Sequence, residues 1–397
     1  MKYSKKIIDS YFKNTVLPVE SIVYRGIPNY HRFNCYRDYK VADELVSIKK
    51  LSSYILNSKN IDRVFFVSGS EVMCENDWFL FKIGDYFHYS CVSIYDEIQS
   101  SFPVHSLHPL ISIFIKESNN IYAKHSQDIL DYFSLGIRNN IRLSIRIEEI
   151  LTDFIFNVQK ALEDGKVKKT INNYSHQSRD NYKNLSNYIN QLFEQHNALL
   201  VLRVDVGYKN DQYPRKEAKI TNQPINDTFE IVNDELIEVK NDLKLFFEPF
   251  LDQKDTQLLF KGLIGYVWKL DFSAEKGFCY RILFFYPSDF QKHEIQIANA
   301  IGEHWRATVA VAGVKGCYFN GNAHKQDYRA IGTGLITHDD TQLREELDFT
   351  VRCLTKMDDY VRLQIMQKDK NGVNKSVRTF GKGRLSYKPR QNKQASI

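Results

Sequence analysis

The chain has 397 residues, 43% hydrophobic and 26% charged, with a formal net charge of +6. That is length enough for two cores, in a composition ordinary for a globular domain. No apolar run reaches membrane-spanning length and no apolar core follows Met1-Lys2-Tyr3-Ser4-Lys5-Lys6, so a cytoplasmic protein without a membrane partner is expected.

Residues 1 to about 25 read as opening with a short helix, and Val41–Asn57 as a further one. Arg63–Gly69 reads as a strand, and Trp78–Ile83 with Tyr86–Ile94 as a hairpin around Gly84-Asp85. Pro103 and Pro109 break the next stretch. From Asp128 to Asp164 the pattern is one long helix. Its apolar positions are Ile145, Ile147, Ile150, Leu151, Phe154 and Phe156, and it stops at Gly165 as a helix C-terminus. The Asn- and Ser-rich stretch Asn172–Asn187 is the predicted linker. It separates an N-terminal α+β domain over 1–175, without a recognisable motif, from a second domain over 186–367. The N-terminal domain is a candidate surface for a protein partner.

In the second domain Ala198–Val206 reads as a strand and Phe229–Phe247 as an amphipathic helix with Asp242 on its polar side. Gly265–Phe272 and Gly277–Phe285 are two adjacent strands joined by a polar turn, the second ending in an apolar run like that of a central strand. His293–Trp305 is helical and Ala330–Leu335 is a strand. A helix capped by Asp340 or Thr341 then runs to Leu354. The order is β-α-β-β-α-β with a following helix, a split β-α-β pattern that predicts an α+β, ferredoxin-like antiparallel sheet with helices on one face. Between Lys368 and Lys393 there are nine Lys or Arg and one Asp, net +8 against +6 for the whole chain, which leaves the remainder at −2. A basic C-terminal arm over 368–397 on a near-neutral body suits a phosphate backbone; a solvated tail is the alternative. The six cysteines (35, 74, 91, 279, 317 and 353) have no C-x-x-C spacing, which argues for a reducing compartment and against a structural zinc module.

Six short segments, in one order, resemble the YagK/YfjJ C-terminal domain family, also described as inovirus-type gene II protein-like, of prophages and filamentous phages. They are Leu202–Tyr208, Gly265–Leu270, Ile301–Trp305, Tyr318–Asn320, Leu354–Lys356 and Arg378–Gly383. The family is similar to HUH-type rolling-circle replication initiators, which nick one DNA strand with a tyrosine beside a metal held by a His-apolar-His pair. The resemblance therefore implies an HUH-type fold, a DNA partner, single-stranded or hairpin, and a role in mobile-element replication or its control. A divalent Mg or Mn ion is implied only if nicking activity is retained.

The corresponding positions depart from that chemistry. Where the histidine pair is expected the chain has Cys279-Tyr280-Arg281, and a guanidinium offers no lone pair to a metal. Cys279 and Asp205 are the remaining candidate ligands. Where the resemblance implies Tyr-x-x-Lys, the chain reads Cys353-Leu354-Thr355-Lys356, with Tyr360 about two turns from Cys353 if the helix continues. Two functions stay open. One is a DNA-binding protein with a degenerate nicking site. The other is a metal-dependent nickase that uses Tyr360 or Cys353, with Lys356 beside it. For DNA contact the candidates are Arg203, Lys269, Arg281, Arg378, Lys382 and Arg384 on phosphates, and Tyr266, Trp268 and Tyr280 stacking on bases. The glycines around 313–316 and 381–383 let backbone approach a phosphate, or only form turns. His304, His324 and His338 are substitute ligands only if the fold gathers them.

Overall fold

The computed structural model describes residues 36–57, 101–102, 104–134, 141–208, 241–248, 262–273, 277–327, 332–364, 366–368 and 374–384, with residues 98, 239 and 259. The predicted strand at 63–69, the hairpin at 78–94 and the opening helix lie outside these residues.

The helices described in the first half of the chain are α1 (Tyr36–Asn57), α2 (Pro109–Ser134), α3 (Ile141–Glu163) and α4 (Gly165–Gln195). The predicted 128–164 helix is thus the end of α2 and all of α3. Pro109 opens α2 instead of breaking it. A first-turn residue needs no N–H, and the N–H of Leu110 is taken by Nδ1 of His108 at 3.2 Å. Helices α1–α3 share one core, built from residues such as Leu45, Phe114, Leu151 and Phe154. Ile145 and Phe156, expected within it, are exposed instead.

Helix α4 is the largest departure from the sequence reading. It runs unbroken through 172–187, where the linker was expected. Gly165 is its first residue, not the αL end of α3: Asp164 caps α4, its carboxylate accepting from the amides of Lys166 and Val167. The residues that hold α4 down recur at helical spacing, Tyr174, Ser178, Leu185, Tyr188, Ile189 and Leu192, while the Asn and Ser residues that suggested a linker mostly face solvent.

The remaining strands are β1 (His105–Leu107), β2 (Ala198–Tyr208), β3 (Gly265–Ser273), β4 (Gly277–Pro287), β5 (Gly316–Asn320), β6 (Gly334–Thr337), β7 (Val361–Leu363), β8 (Met366–Lys368), β9 (Asn374–Ser376) and β10 (Phe380–Lys382). The described residues also form helices α5 (Glu294–Ala310) and α6 (Thr341–Lys356). One antiparallel sheet runs β10-β3-β4-β2-β5, and β6 pairs with the start of β2 on the same side as β5. The fold class is α+β. As expected for central strands, β2 and β4 pair on both sides and their apolar runs are buried.

The sheet carries helices on both faces, not one. Even-numbered residues of β2 and β4, with Trp305 and Ile301 of α5 and Phe246 of the helical segment 241–248, form one core. Odd-numbered Leu199, Val201, Leu283 and Phe285 form another with α4 and α6. Asp242, predicted on a polar face, is buried and accepts from the Tyr208 hydroxyl at 2.8 Å. Part of the predicted basic arm is folded: β8 and β9 form a hairpin, and β10 is an edge strand whose Gly381 lies against the Trp268 ring, where a Cβ would come within 2.1 Å. No helix among the described residues is long and apolar enough to cross a membrane.

Candidate functional site

Strand alternation gives the odd face of the sheet two halves. The start of β2 and the end of β4 present apolar residues such as Val201 and Leu283 to α4 and α6. Towards the other end the same face presents Arg203, Asp205 and Gly207 on β2, Cys279 and Arg281 on β4, and Lys269 and Asp271 on β3. Register brings them together, since Asp205 opposes Arg281, Arg281 opposes Lys269, and Cys279 lies between Gly207 and Asp271. The end of α6 and the following 3-10 turn Met357–Asp359 supply Cys353 and Asp358. Positions that the resemblance linked from opposite ends of the domain therefore meet on one face.

This group of charges is internally paired. Lys269 Nζ lies 3.1 Å from both Asp271 and Asp358, and Arg281 Nε lies 3.0 Å from Asp271. Arg203 donates to both oxygens of Asp205, at 3.3 and 3.1 Å. Burial lowers the Arg281 and Lys269 pKa values, but the carboxylates beside them more than reverse this and hold both above their ordinary values. Burial works to raise that of Asp271, yet Lys269 and Arg281 bring it below the ordinary value. Burial keeps Asp358 above its usual range despite Lys269. Three cations face three carboxylates, so little positive potential is left for a phosphate.

The candidate nucleophiles are poorly placed for attack. Burial pushes the Cys353 thiol up to about 12, although Arg203 and Arg281 pull it down. Reactivity requires the thiolate. The expectation that Tyr360 continues the α6 face is corrected: the helix ends at Lys356, and after the 3-10 turn Tyr360 is 5% exposed in the core of α1–α3. Lys356 turns to Asp359, 3.1 Å away.

Among the described residues no three His, Cys, Asp or Glu side chains gather as a metal site. Asp205 is engaged by Arg203. The three histidines are dispersed: His304 stacks on Phe246, His324 stacks on Phe319, and exposed His338 meets Asp339.

The expected base-stacking face is also rearranged. Tyr266, Trp268 and Tyr280 project from the even face, Tyr280 is 1% exposed against Trp268 and Trp305, and Tyr266 stacks on Phe247 at 4.4 Å. A buried ring presents no surface to a base. Arg378, Lys382 and Arg384, in contrast, are exposed on and beside β10, and none has a carboxylate partner among the described residues. Lys382 Nζ reaches the Asn184 carbonyl of α4 at 3.2 Å.

Glycine segments read as possible phosphate cradles are packing and turn elements. Gly316 lies against Trp305 and Val309, and Gly313 has φ +75°. Reasoning from sequence missed Asp271, two residues after Lys269 and hence on the same face by alternation alone. It also missed Asn322, which no local pattern marks. The Asn322 amide accepts from Arg203 N at 2.8 Å and donates to Val201 O at 3.0 Å, filling the gap where β2 passes from pairing with β6 to pairing with β5.

A family model described as YagK/YfjJ C-terminal domain matches residues 162–383, from the end of α3 through β10. No curated protein and no solved structure matches the chain. The matched span begins before α4, consistent with that helix being part of the sheet domain's own core.

Proposed function

Since the chain belongs to the YagK/YfjJ C-terminal domain family, we propose that it is a DNA-binding protein of a mobile element, acting in that element's replication or its control and holding DNA without a covalent intermediate. The observation that carries this reading is a division of the cations. Those at the nicking-site positions, Arg203, Lys269 and Arg281, are spent on Asp205, Asp271 and Asp358. Those on the β10 edge, Arg378, Lys382 and Arg384, are exposed to solvent. An exposed cation exchanges a counterion for a phosphate at little cost, whereas a buried paired one must first give up its partner. The protonated Cys353 thiol and the enclosed Tyr360 favour binding over nicking.

The test is binding of the full chain to single-stranded and hairpin oligonucleotides across a salt series, with Mg or Mn present. Replacing Arg378, Lys382 and Arg384 by Gln is expected to weaken binding and to reduce the salt slope by roughly 0.7–0.9 per lost phosphate contact. An unchanged slope overturns the β10 edge as the contact. A protein–DNA adduct on a denaturing gel overturns the non-covalent reading.

A further inference from the structure

The solvent face of α4 carries five residues in a line: Lys168, Asn172, His176, Arg179 and Lys183. Their spacings of four, four, three and four residues keep them on one stripe of the helix. All five are exposed. The opposite side of α4 is held by Leu185, Tyr188, Ile189 and Leu192, within the core shared with α6 and the sheet. Asp180, the one acidic residue between Lys168 and Lys183, is turned about 100° away from Arg179 around the helix. Within the stripe Arg179 Nη2 donates to His176 Nδ1.

We infer that α4 is the element that receives double-stranded DNA, such as the stem of a hairpin, with Lys168, Arg179 and Lys183 on phosphates and Asn172 and His176 turned to base edges. This deepens the DNA-binding reading above and rests on it. At about 1.5 Å per residue the stripe spans about 22 Å, on a helix whose far side is anchored and which therefore acts as a rigid rod. A rod of this kind fits a major groove about 12 Å wide. A single strand is better held by exposed aromatic rings on which bases stack. The single ring of the stripe is the His176 imidazole, engaged by Arg179, and of the even-face aromatics Tyr280 is buried while Tyr266 and Trp268 are half-buried. Charge complementarity and side-chain chemistry thus point to a duplex. The β10 edge joins this surface through the contact of Lys382 with Asn184.

The experiment compares the full chain with two triple variants, Lys168→Gln/Arg179→Gln/Lys183→Gln on α4 and Arg378→Gln/Lys382→Gln/Arg384→Gln on β10. Each is titrated against a hairpin and an unpaired strand of equal length. The α4 variant is expected to lose about tenfold or more in hairpin affinity at 0.1 M salt and to keep single-strand affinity within about twofold. Asn172→Ala/His176→Ala is expected to relax sequence preference within the stem and leave the salt slope unchanged. Equal loss on hairpin and single strand overturns the duplex assignment. Loss with the β10 variant alone overturns α4 as the contact and leaves the DNA-binding reading standing. No DNA binding by the wild-type chain overturns that reading itself. Because every substituted residue is exposed, an unchanged thermal midpoint separates lost contact from lost fold.

Discussion

The ammonium of Lys269 on β3 and the carboxylate of Asp358 after α6 meet at 3.1 Å, with side chains only 6% and 5% exposed. The pair ties the sheet to the turn that follows α6, and it is asymmetric. Lys269 has a second carboxylate in Asp271, whereas Asp358 depends on Lys269 and its burial is not fully offset. Lys269→Met is therefore expected to destabilise the protein by about 3–5 kcal/mol. Asp358→Asn, which removes a charge already held above its normal pKa, is expected to be neutral or stabilising at pH 7. Because a raised carboxyl pKa contributes stability below its unfolded value and loses it as pH rises, the Asp358→Asn effect should shrink below about pH 4. Urea unfolding at the two pH values checks both; a larger loss for Asp358→Asn than for Lys269→Met would contradict the asymmetry.

Two histidines make the fold sensitive to acid. Burial holds both His105 and His108 down to about 3, from an ordinary value of 6.5. Between those values the unfolded chain binds more protons than the folded one, so stability falls as pH drops from 6.5 towards 3. The slope approaches about 1 kcal/mol per pH unit for each histidine in the middle of that window. His108→Asn keeps an acceptor for the Leu110 amide but does not titrate. Its stability, followed by urea midpoints from about pH 7 to about pH 4, is expected to be the flatter.

Asn322 substitutes for a missing stretch of strand. Asn322→Ala leaves the Arg203 amide and the Val201 carbonyl without their partner in a buried region, at a cost of about 2–4 kcal/mol. Asn322→Asp keeps the acceptor and, at low pH where the acid is neutral, offers an O–H in place of the amide donor, so it should fall between Ala and wild type there. Thermal unfolding of the three proteins tests the order.

The Cys353 thiol should be unreactive at neutral pH. With its pKa pushed up to about 12, alkylation by iodoacetamide at about pH 7.5 should be much slower than for an exposed model thiol, and should accelerate as pH rises past about 9. Peptide mapping by mass spectrometry reads the rate. Rapid modification at neutral pH would restore Cys353 as a candidate nucleophile.

Gly381 has no room for a side chain. A Cβ there would lie 2.1 Å from the Trp268 indole. Gly381→Val is expected to displace β10 from β3, shift Trp268 fluorescence to the red and weaken the DNA binding proposed for Lys382. Unchanged emission would mean that the ring moves aside instead.

Much of the sheet was legible in the residues. The apolar run of β4 announces a strand covered on both sides, and Asp340 caps α6 as expected, its carboxylate accepting from Leu343 N at 2.9 Å. These signals are local: a run, an alternation or a cap is complete within a few neighbours. Alternation along β3 and β4 likewise assigns Lys269 and Arg281 each to the odd face of its strand. The segments shared with the family were informative for the same reason, and in the fold several interlock, as Gly381 with Trp268 and Gly302 with Tyr318.

What the chain determined alone was thus periodicity, capping and where its charge lies. Tertiary structure decided the rest. Asn172–Asn187 has the local composition of a linker, but its intervening Tyr174, Ser178 and Leu185 find partners only when distant segments are in place, and that burial makes α4 one helix. Strands such as β1, β7 and β10, three residues each, pair with segments about a hundred or more positions away and carry no run long enough to announce them. Whether Lys269 and Arg281 were free for phosphate depended on Asp271, which meets Arg281 from the neighbouring strand, and on Asp358, which the turn after α6 brings to Lys269. A side chain's type and face are properties of the local sequence, whereas its partners are set by which distant segments the closed core brings within a few ångströms.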